Sequence, residues 1–503
     1  MKTKILSLTL AAASSSLVLT AQASGFKLNE QSASGVGTAY AGRTAVVEDA
    51  TTVFYNPAGM SKLKRAEISL GGTYLNADVT FKNGERTNTA GVSSHYEPAY
   101  SNGGSLIPEK VIPFVYYAHP VNDKLALGFG VFVPLGAETN YSKDALSGGF
   151  AGKTKLTTID FQPAFSYKLT DNLAIGGGLD IMYAKGELSK QLDLVPFVPA
   201  ALGAYHPLSG NTSLNDPKYM GYENTFNVEG DDIALGWNLG VMWDITPATT
   251  LGLTYRSQVK FTLEGDAEFA IKDGVKAFNQ DVYQAGGVDV GGTKYFDGIV
   301  PVDLASKGAA ATGQVPNQKA KVPLTAPQSA TVSLAHQLTD ALQLQGGITW
   351  TDWSSFKYFD VIGKEPGMIS ELSAKSTGLT DNYMGHIVEK WHDSFAYALG
   401  ASYTLNPQWL LRAGFAYDES PVNKAHRTAR VPDNDRKWVT AGARFAPTQD
   451  ISFDLGLAYA FIKSFSMEEV DYNLNDVQSS KQKIKGDYDL NAFGASLQMN
   501  YRF

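Results

Sequence analysis

The sequence predicts an all-β protein, a 14-stranded antiparallel transmembrane β-barrel whose N-terminal segment plugs the lumen. The first observation behind this is alternation, which runs from about Ile68 to Phe503. Ile451, Phe453, Leu455, Leu457, Tyr459 and Phe461 form an unbroken apolar set, while Ser452, Asp454, Gly456, Ala458 and Ala460 fill the positions between. A strand of this kind shows one face to something apolar and the other to something polar or hollow. Repeated along a chain, that is the pattern of a membrane barrel. The second observation is that tight turns alternate with long connections. The third is a secretory signal with no later helical span.

The signal comes first in the chain. Lys2 and Lys4 precede an apolar stretch from Ile5 to Leu19, and Ala21-Gln22-Ala23 offers small residues where a signal peptidase reads. The stretch is too short for a spanning helix, so residues 1–23 are expected to be removed. No other stretch approaches the roughly 18 to 20 apolar residues a membrane helix needs. The chain has no cysteine, which excludes disulfides, thiolate metal sites and a thiol nucleophile. With 42 basic against 50 acidic residues its formal net charge is −8, which points to solvated loops and away from nucleic acid.

Tight turns fall at Val121-Asn122-Asp123-Lys124, Thr170-Asp171-Asn172, Thr246-Pro247-Ala248-Thr249, Leu338-Thr339-Asp340, Asn406-Pro407-Gln408 and Pro447-Thr448-Gln449-Asp450. Six turns imply 12 strands, and two more at about 65–81 and 479–503 bring the count to 14. Both chain ends then lie on the short-turn side, which in outer-membrane barrels is periplasmic. The longer connections, including a fourth at about 272–328, are expected to be extracellular.

Parity assigns the faces. Leu127 and Phe129, Leu235, Trp237 and Leu239, Leu251 and Leu253, and Leu411 and Phe415 are placed outward. Gly128, Gly176, Asp180, Gly240, Gly414 and Gly442 are placed inward, with the charged Arg256, Glu264, Arg412 and Asp418. Inward glycines leave volume that side chains do not fill, and a barrel of this size encloses a lumen wider than its own side chains occupy. Something must plug it, or it is an open pore. The chain ends Met499-Asn500-Tyr501-Arg502-Phe503, a terminal aromatic of the kind the outer-membrane assembly machinery recognises.

Residues 24–62 do not alternate. They are polar, dotted with glycine, and include Asn56-Pro57-Ala58, so they cannot form a lipid-facing strand. The lumen is the simplest place for them, which divides the chain into a signal (1–23), a hatch (24–62) and a barrel (63–503). The run from Ser24 through Gly25-Phe26-Lys27-Leu28-Asn29-Glu30-Gln31 to Ser32, followed by Asn56-Pro57-Ala58, resembles the N-terminal hatch of the FadL-type long-chain fatty acid transporters and toluene channels. Tyr255-Arg256-Ser257-Gln258-Val259, Trp350-Thr351-Asp352-Trp353-Ser354 and the long stretch from Arg412 to Trp438 extend the resemblance to both ends of the mature chain.

That resemblance implies a monomeric outer-membrane barrel plugged by its hatch. It also implies passive transport of long-chain fatty acids, or of neutral or aromatic hydrocarbons, past a lipopolysaccharide surface that slows oily molecules. Such a path needs an apolar capture surface, an apolar pocket with polar anchors, and a gate. For capture, the third long loop carries Leu194, Phe197 and Val198 in an unusually apolar run. As a carboxylate anchor, Lys190 is sent inward by parity, with Gly186 and Leu188; Lys390 and His392 are the nearest basic residues to the position before the tenth strand where the family carries one. Phe26 matches the hatch phenylalanine that reaches the family's inner pocket. For the gate, Phe132-Val133-Pro134-Leu135-Gly136 interrupts the third strand, where the family has a lateral opening, and proline there donates no ladder hydrogen bond. Arg256, Glu264, Arg412 and Asp418 are expected to hold the hatch through buried pairs.

Enzymatic chemistry is not expected. Of the seven histidines, His95, His206, His386 and His426 fall in expected loops and His119 and His336 near turns, with no serine or carboxylate constellation evident. No cofactor or metal is called for.

Overall fold

The computed structural model describes residues 25–87, 93–95, 106–142, 145–191, 225–270, 288–290, 293–295, 316–377, 379–380 and 382–503. Among them, 14 strands close into one antiparallel barrel. The first seven are β1 (Glu67–Thr87), β2 (Lys110–Pro120), β3 (Leu125–Phe132, resuming as Gly136–Asn140), β4 (Lys153–Thr170), β5 (Leu173–Gln191), β6 (Thr225–Thr246) and β7 (Thr249–Arg256, then Val259–Ala270). The remainder are β8 (Gln318–Ala326, then Ser329–Gln337), β9 (Leu342–Thr351, then Tyr358–Gly363), β10 (Tyr383–Val388, then Ser394–Asn406), β11 (Trp409–Asp418), β12 (Arg436–Phe445), β13 (Ile451–Ile462, then Phe465–Tyr472) and β14 (Gln478–Arg502). Closure is made by β1 against β14, in a register that sets Ile68 opposite Tyr501 and Phe81 opposite Tyr488. No helix among the described residues is long and apolar enough to cross a membrane, so the strands do the crossing.

The outer wall carries the apolar side chains that parity sends there. Leu127, Phe129, Ile233, Leu235, Trp237, Leu239, Leu411, Phe415 and the row Phe453, Leu455, Leu457, Tyr459, Phe461 are all exposed. In water such a belt would be untenable; against acyl chains it is the stable arrangement. On β13 the belt stops at Phe461, and the strand beyond it, from Phe465, turns its apolar residues inward. The upper ends of β9, β10, β13 and β14 thus rise above the membrane on the long-loop side.

One expected boundary moves. The fourth long connection is shorter than 272–328, because β8 begins at Gln318. Ala320, Val322 and Leu324 are buried while Lys319 and Pro323 face out. This strand stands above the belt, where outward positions meet water and need no apolar residue, so its alternation lacks the oily face that marks the others.

Residues 25–62 pack against inward-facing groups of the strands, among them Thr73, Gln162 and the main chain at Val241. Their order comes from short capped turns: Ser32 Oγ accepts from Gly35 N at the start of Ala33–Val36, and Asn56 Oδ1 accepts from Ala58 N at the start of the 3₁₀ turn Pro57–Lys62. Proline at the first turn position loses no hydrogen bond it would have made. Asn56 also donates to Thr44 O at 2.6 Å and to Val241 O on β6 at 3.0 Å, which docks the Asn-Pro-Ala turn on the wall. The inward glycines make room for this. A Cβ on Gly252 would sit 1.9 Å from Thr44 O, and one on Gly240 would sit 2.0 Å from Asn56 Oδ1, so any side chain there would push the segment off the barrel.

Candidate ligand path through the lumen

The barrel wall is discontinuous at the third strand. Leu125–Phe132 pairs with β2 on one side and β4 on the other, but Gly136–Asn140 pairs only with β4 among the described strands. The interval Val133–Leu135 includes Pro134, which has no N–H to offer. Its polar groups are satisfied from elsewhere, as buried backbone requires. Leu135 N donates to Thr158 Oγ1 at 3.1 Å, and Gln31 Nε2 donates to Val133 O at 2.6 Å. Leu28 N donates to Pro134 O and Gly136 N to Phe26 O, both at 2.9 Å, so that Lys27 bridges Leu135 as an antiparallel partner. Residues 26–28 thus stand where a neighbouring strand would.

Phe26 is buried in an aromatic nest, with ring centroids 4.5 Å from Trp353, 5.3 Å from Phe356 and 5.5 Å from Trp391. These partners come from the interruptions of β9 and β10, where the chain leaves the ladder and turns side chains inward.

Three cavities succeed one another down the lumen. The outermost encloses about 820 Å³ of atom-free space, part of it open to solvent. Leu188, Phe226 and Met384 give it an apolar wall, and Lys190, Arg427 and Arg430 a cationic one. The next, about 490 Å³, has an accessible surface that is almost wholly hydrocarbon, from Leu156, Leu188, Val228, Leu263, Val431 and Phe26. Leu188 lines both, so they adjoin. The innermost, about 1650 Å³, lies between residues 27–57 and the wall and reaches Pro134 and Leu135 at the interruption of β3.

The cationic wall is held by acids. The segment 428–431, from the connection between β11 and β12, crosses the mouth of the lumen: Thr428 Oγ1 donates to Glu389 at 2.9 Å, Ala429 N to Glu469 at 2.7 Å, and Tyr141 Oη to Ala429 O at 2.6 Å. Arg430 Nη1 donates to Thr154 Oγ1 at 3.2 Å and Ser189 O at 3.1 Å, while its buried Nε has no partner among the described residues. Both acids lie above the apolar belt. Burial pushes Glu389 up to about 8, against its hydrogen bonds from Thr428 and Trp391, and pushes Glu469 up to about 7. Near neutral pH Glu389 is mostly protonated and Glu469 only partly ionised, so the pair offsets the charge of Lys190, Arg427 and Arg430 only in part, while Glu468 and Asp471 add carboxylates to the same chamber.

The predicted residues distribute as follows. Lys190 and Phe26 line these cavities. Lys390 lies outside all three and pairs with Asp476 at 2.7 Å; His392 is exposed, and its Nδ1 is 2.9 Å from Asp393 O. Leu194, Phe197 and Val198 lie outside the described residues. Arg412, its side chain fully buried, pairs with Glu48 and Asp454, each at 2.8 Å. Arg256 pairs with Asp180 at 2.6 Å and donates to Phe54 O at 3.3 Å, and Asp418 lies 4.0 Å from Arg436. Glu264 corrects its expectation: it faces outward and pairs with Lys364 at 2.6 Å. The break of β7 at Ser257-Gln258 reverses parity, so that Val259, Phe261 and Leu263 turn inward and Glu264 turns out. Arg427, Arg430 and Glu389 sit in connections that carry no periodic pattern, and Glu469 on the inward face of β13 above the belt, so alternation singles out none of them.

A closed barrel with an apolar belt, an occupied lumen and a succession of oily cavities defines an outer-membrane transport protein for hydrophobic compounds. The chain belongs to the family described as outer membrane protein transport protein (OMPP1/FadL/TodX), whose family model matches residues 14–503. It is 29% identical over 500 residues to outer membrane protein P1 of Haemophilus influenzae, covering 96% of each chain. It is 28% identical over 453 residues to the long-chain fatty acid transport protein of Salmonella typhi, covering 90% of this chain and 91% of that one. Among solved structures, a Pseudomonas aeruginosa FadL homologue superposes with a TM-score of 0.75 at 24% identity, over 95% of this chain and 100% of that chain. The Pseudomonas putida toluene transporter TodX superposes with a TM-score of 0.59 at 17% identity, over the same shares. These two establish the fold alone.

Proposed function

We propose that this protein carries long-chain fatty acids passively across the outer membrane and releases them sideways through the interruption of β3. The observation that carries the reading is the order of the cavities: a cationic, half-apolar outer chamber, an oily second chamber, and an inner chamber that ends at Pro134. A fatty acid fits that order, because its carboxylate is held by charge-assisted hydrogen bonds at Lys190 and the arginines while its chain enters the second chamber. The name of the Salmonella typhi relative supports the same substrate class. Capture falls to the apolar run with Leu194, Phe197 and Val198, which lies outside the described residues. The hatch, docked by Asn56, Pro57 and Ala58, closes the direct route to the periplasm, and Phe132, Pro134, Leu135 and Gly136 form the lateral gate. A single chain supplies every element, so the working unit is a monomer, inserted by the assembly machinery that reads Phe503.

A neutral or aromatic hydrocarbon would use the same second chamber, and the hydrocarbon surface around Phe26 favours that alternative equally. The anchor separates the two. Lys190→Ala weakens fatty acid binding by about 1 to 3 kcal/mol, the loss expected for a hydrogen bond to a charged group, and leaves a neutral hydrocarbon of the same length unaffected. Titration of both ligands into the detergent-solubilised protein measures this. Equal weakening of the two ligands removes Lys190 as an anchor and favours the hydrocarbon reading.

A further inference from the structure

Three cations line the inner chamber, Lys27, Arg43 and Arg256. Lys27 lies between Phe26 and Leu28, the two residues whose main chain is bonded across the interruption of β3. Phe26 lines the second chamber, Lys27 the inner one. Two other cations line that inner chamber, and both are occupied: Arg256 by Asp180 and Asp160, Arg43 by Ser34 and Glu48. Among the described residues the ammonium of Lys27 makes no hydrogen bond or ion pair; Asp418, which lines the same chamber, attracts it from beyond pairing distance and lies 4.0 Å from Arg436. Glu30, on the same segment and 2% exposed, leaves Oε2 without a partner, so the acid nearest in sequence is not satisfied by Lys27 either.

An unpaired ammonium lining a mostly apolar chamber is costly unless something anionic joins it. Arg256 and Arg43 use their charge to hold hatch and wall together; that of Lys27 is free for a ligand. Leu28, Phe54, Leu135, Met182 and Trp353 supply apolar surface around it. The chamber thus offers one available cation, an oily wall, and a position one residue from the main-chain bonds that close the gate.

We infer that Lys27 is a second, inner carboxylate anchor, which receives a long-chain monocarboxylate from the outer cations and holds its head group at the threshold of the β3 interruption. This rests on the transport reading above and deepens it: the protein would select an anionic amphiphile twice, at Lys190 on entry and at Lys27 before release. The head group would then be bound by the middle one of the three residues that must yield for the gap to open.

The test uses the full-length protein in detergent, titrated with palmitate and with cetyl alcohol, which has the same chain and no charge. Lys27→Gln is expected to lower palmitate affinity about tenfold, the fold-change for losing one charge-assisted hydrogen bond, and to leave cetyl alcohol unchanged. Lys27→Arg restores palmitate. Lys27→Met, of similar reach without charge, repeats the result if the glutamine variant does not assemble, with heat-modifiable gel migration as the assembly check. Wild-type palmitate affinity in Lys27→Gln, or equal loss for both ligands, overturns the inner anchor. If Lys190→Ala is impaired at the same time, the transport reading stands without it. A wild-type protein that binds no palmitate overturns both.

Discussion

Replacing Pro134 and Gly136 together by valine reduces fatty acid uptake to a minor fraction of the wild-type rate while the barrel still assembles and still binds ligand at its outer chamber. Pro134 withholds a ladder donor just where β3 leaves β2, and Gly136 N reaches Phe26 O instead of a neighbouring strand. Valine at both positions supplies a donor, lowers backbone freedom and favours extended pairing, so β3 runs on through the gap. Uptake of radiolabelled fatty acid by cells, with ligand binding to the purified protein as control, measures the effect. If release instead ran through the hatch to the periplasm, the double variant would take up fatty acid normally.

Arg412→Ala costs the folded protein about 3 to 5 kcal/mol, the usual result of leaving buried charges uncompensated. Its guanidinium lies between Glu48 of the hatch and Asp454 of β13. Arg444 also reaches Asp454 at 2.9 Å and Asp49 at 3.0 Å, so the cluster ties the hatch to β11, β12 and β13 together. The net stability of such a cluster is small, since burying the charges cost nearly what their attraction returns, but removing one member strands the others. The expected readings are a lower thermal transition and larger single-channel conductance, because the hatch is no longer fastened at that end. A variant that melts like wild type and stays electrically silent would show that Arg444 alone secures the hatch.

Much of this architecture is visible in the sequence because one physical requirement repeats along it. Every crossing strand must show lipid an apolar residue at every second position, so the row from Ile451 to Phe461 can be read without reference to any other strand. The strands above the belt face water on the outside, and the same rule weakens there, which is why Gln318–Ala326 reads as part of a loop. Parity also fails across an interruption: Glu264 is displaced to the outer face by the two residues Ser257 and Gln258. The cationic outer chamber is the least legible part. Arg430 meets Thr154 and Ser189, hundreds of residues away, and the segment that carries it is held by Glu389 and Glu469 through Thr428 and Ala429; no local pattern announces such meetings. Lys27 stands in a motif that is easy to see, yet its environment becomes informative only once its neighbours' charges are found to be taken.

If ligand leaves sideways at the β3 interruption, as proposed, residues 26–28 must give way for it. Lys27 and Leu135 face each other as a non-hydrogen-bonded antiparallel pair, flanked by the bonds Leu28 N to Pro134 O and Gly136 N to Phe26 O. Such pairs stand about 4.5 Å apart at Cα, within the range a disulfide spans. The chain has no cysteine of its own, so Lys27→Cys with Leu135→Cys introduces a single possible lock. Fatty acid uptake by cells carrying this variant should stop under oxidation and return on reduction, each compared with the same variant so that the loss of Lys27 is common to both. Uptake that is indifferent to the state of the disulfide would contradict release through this gap.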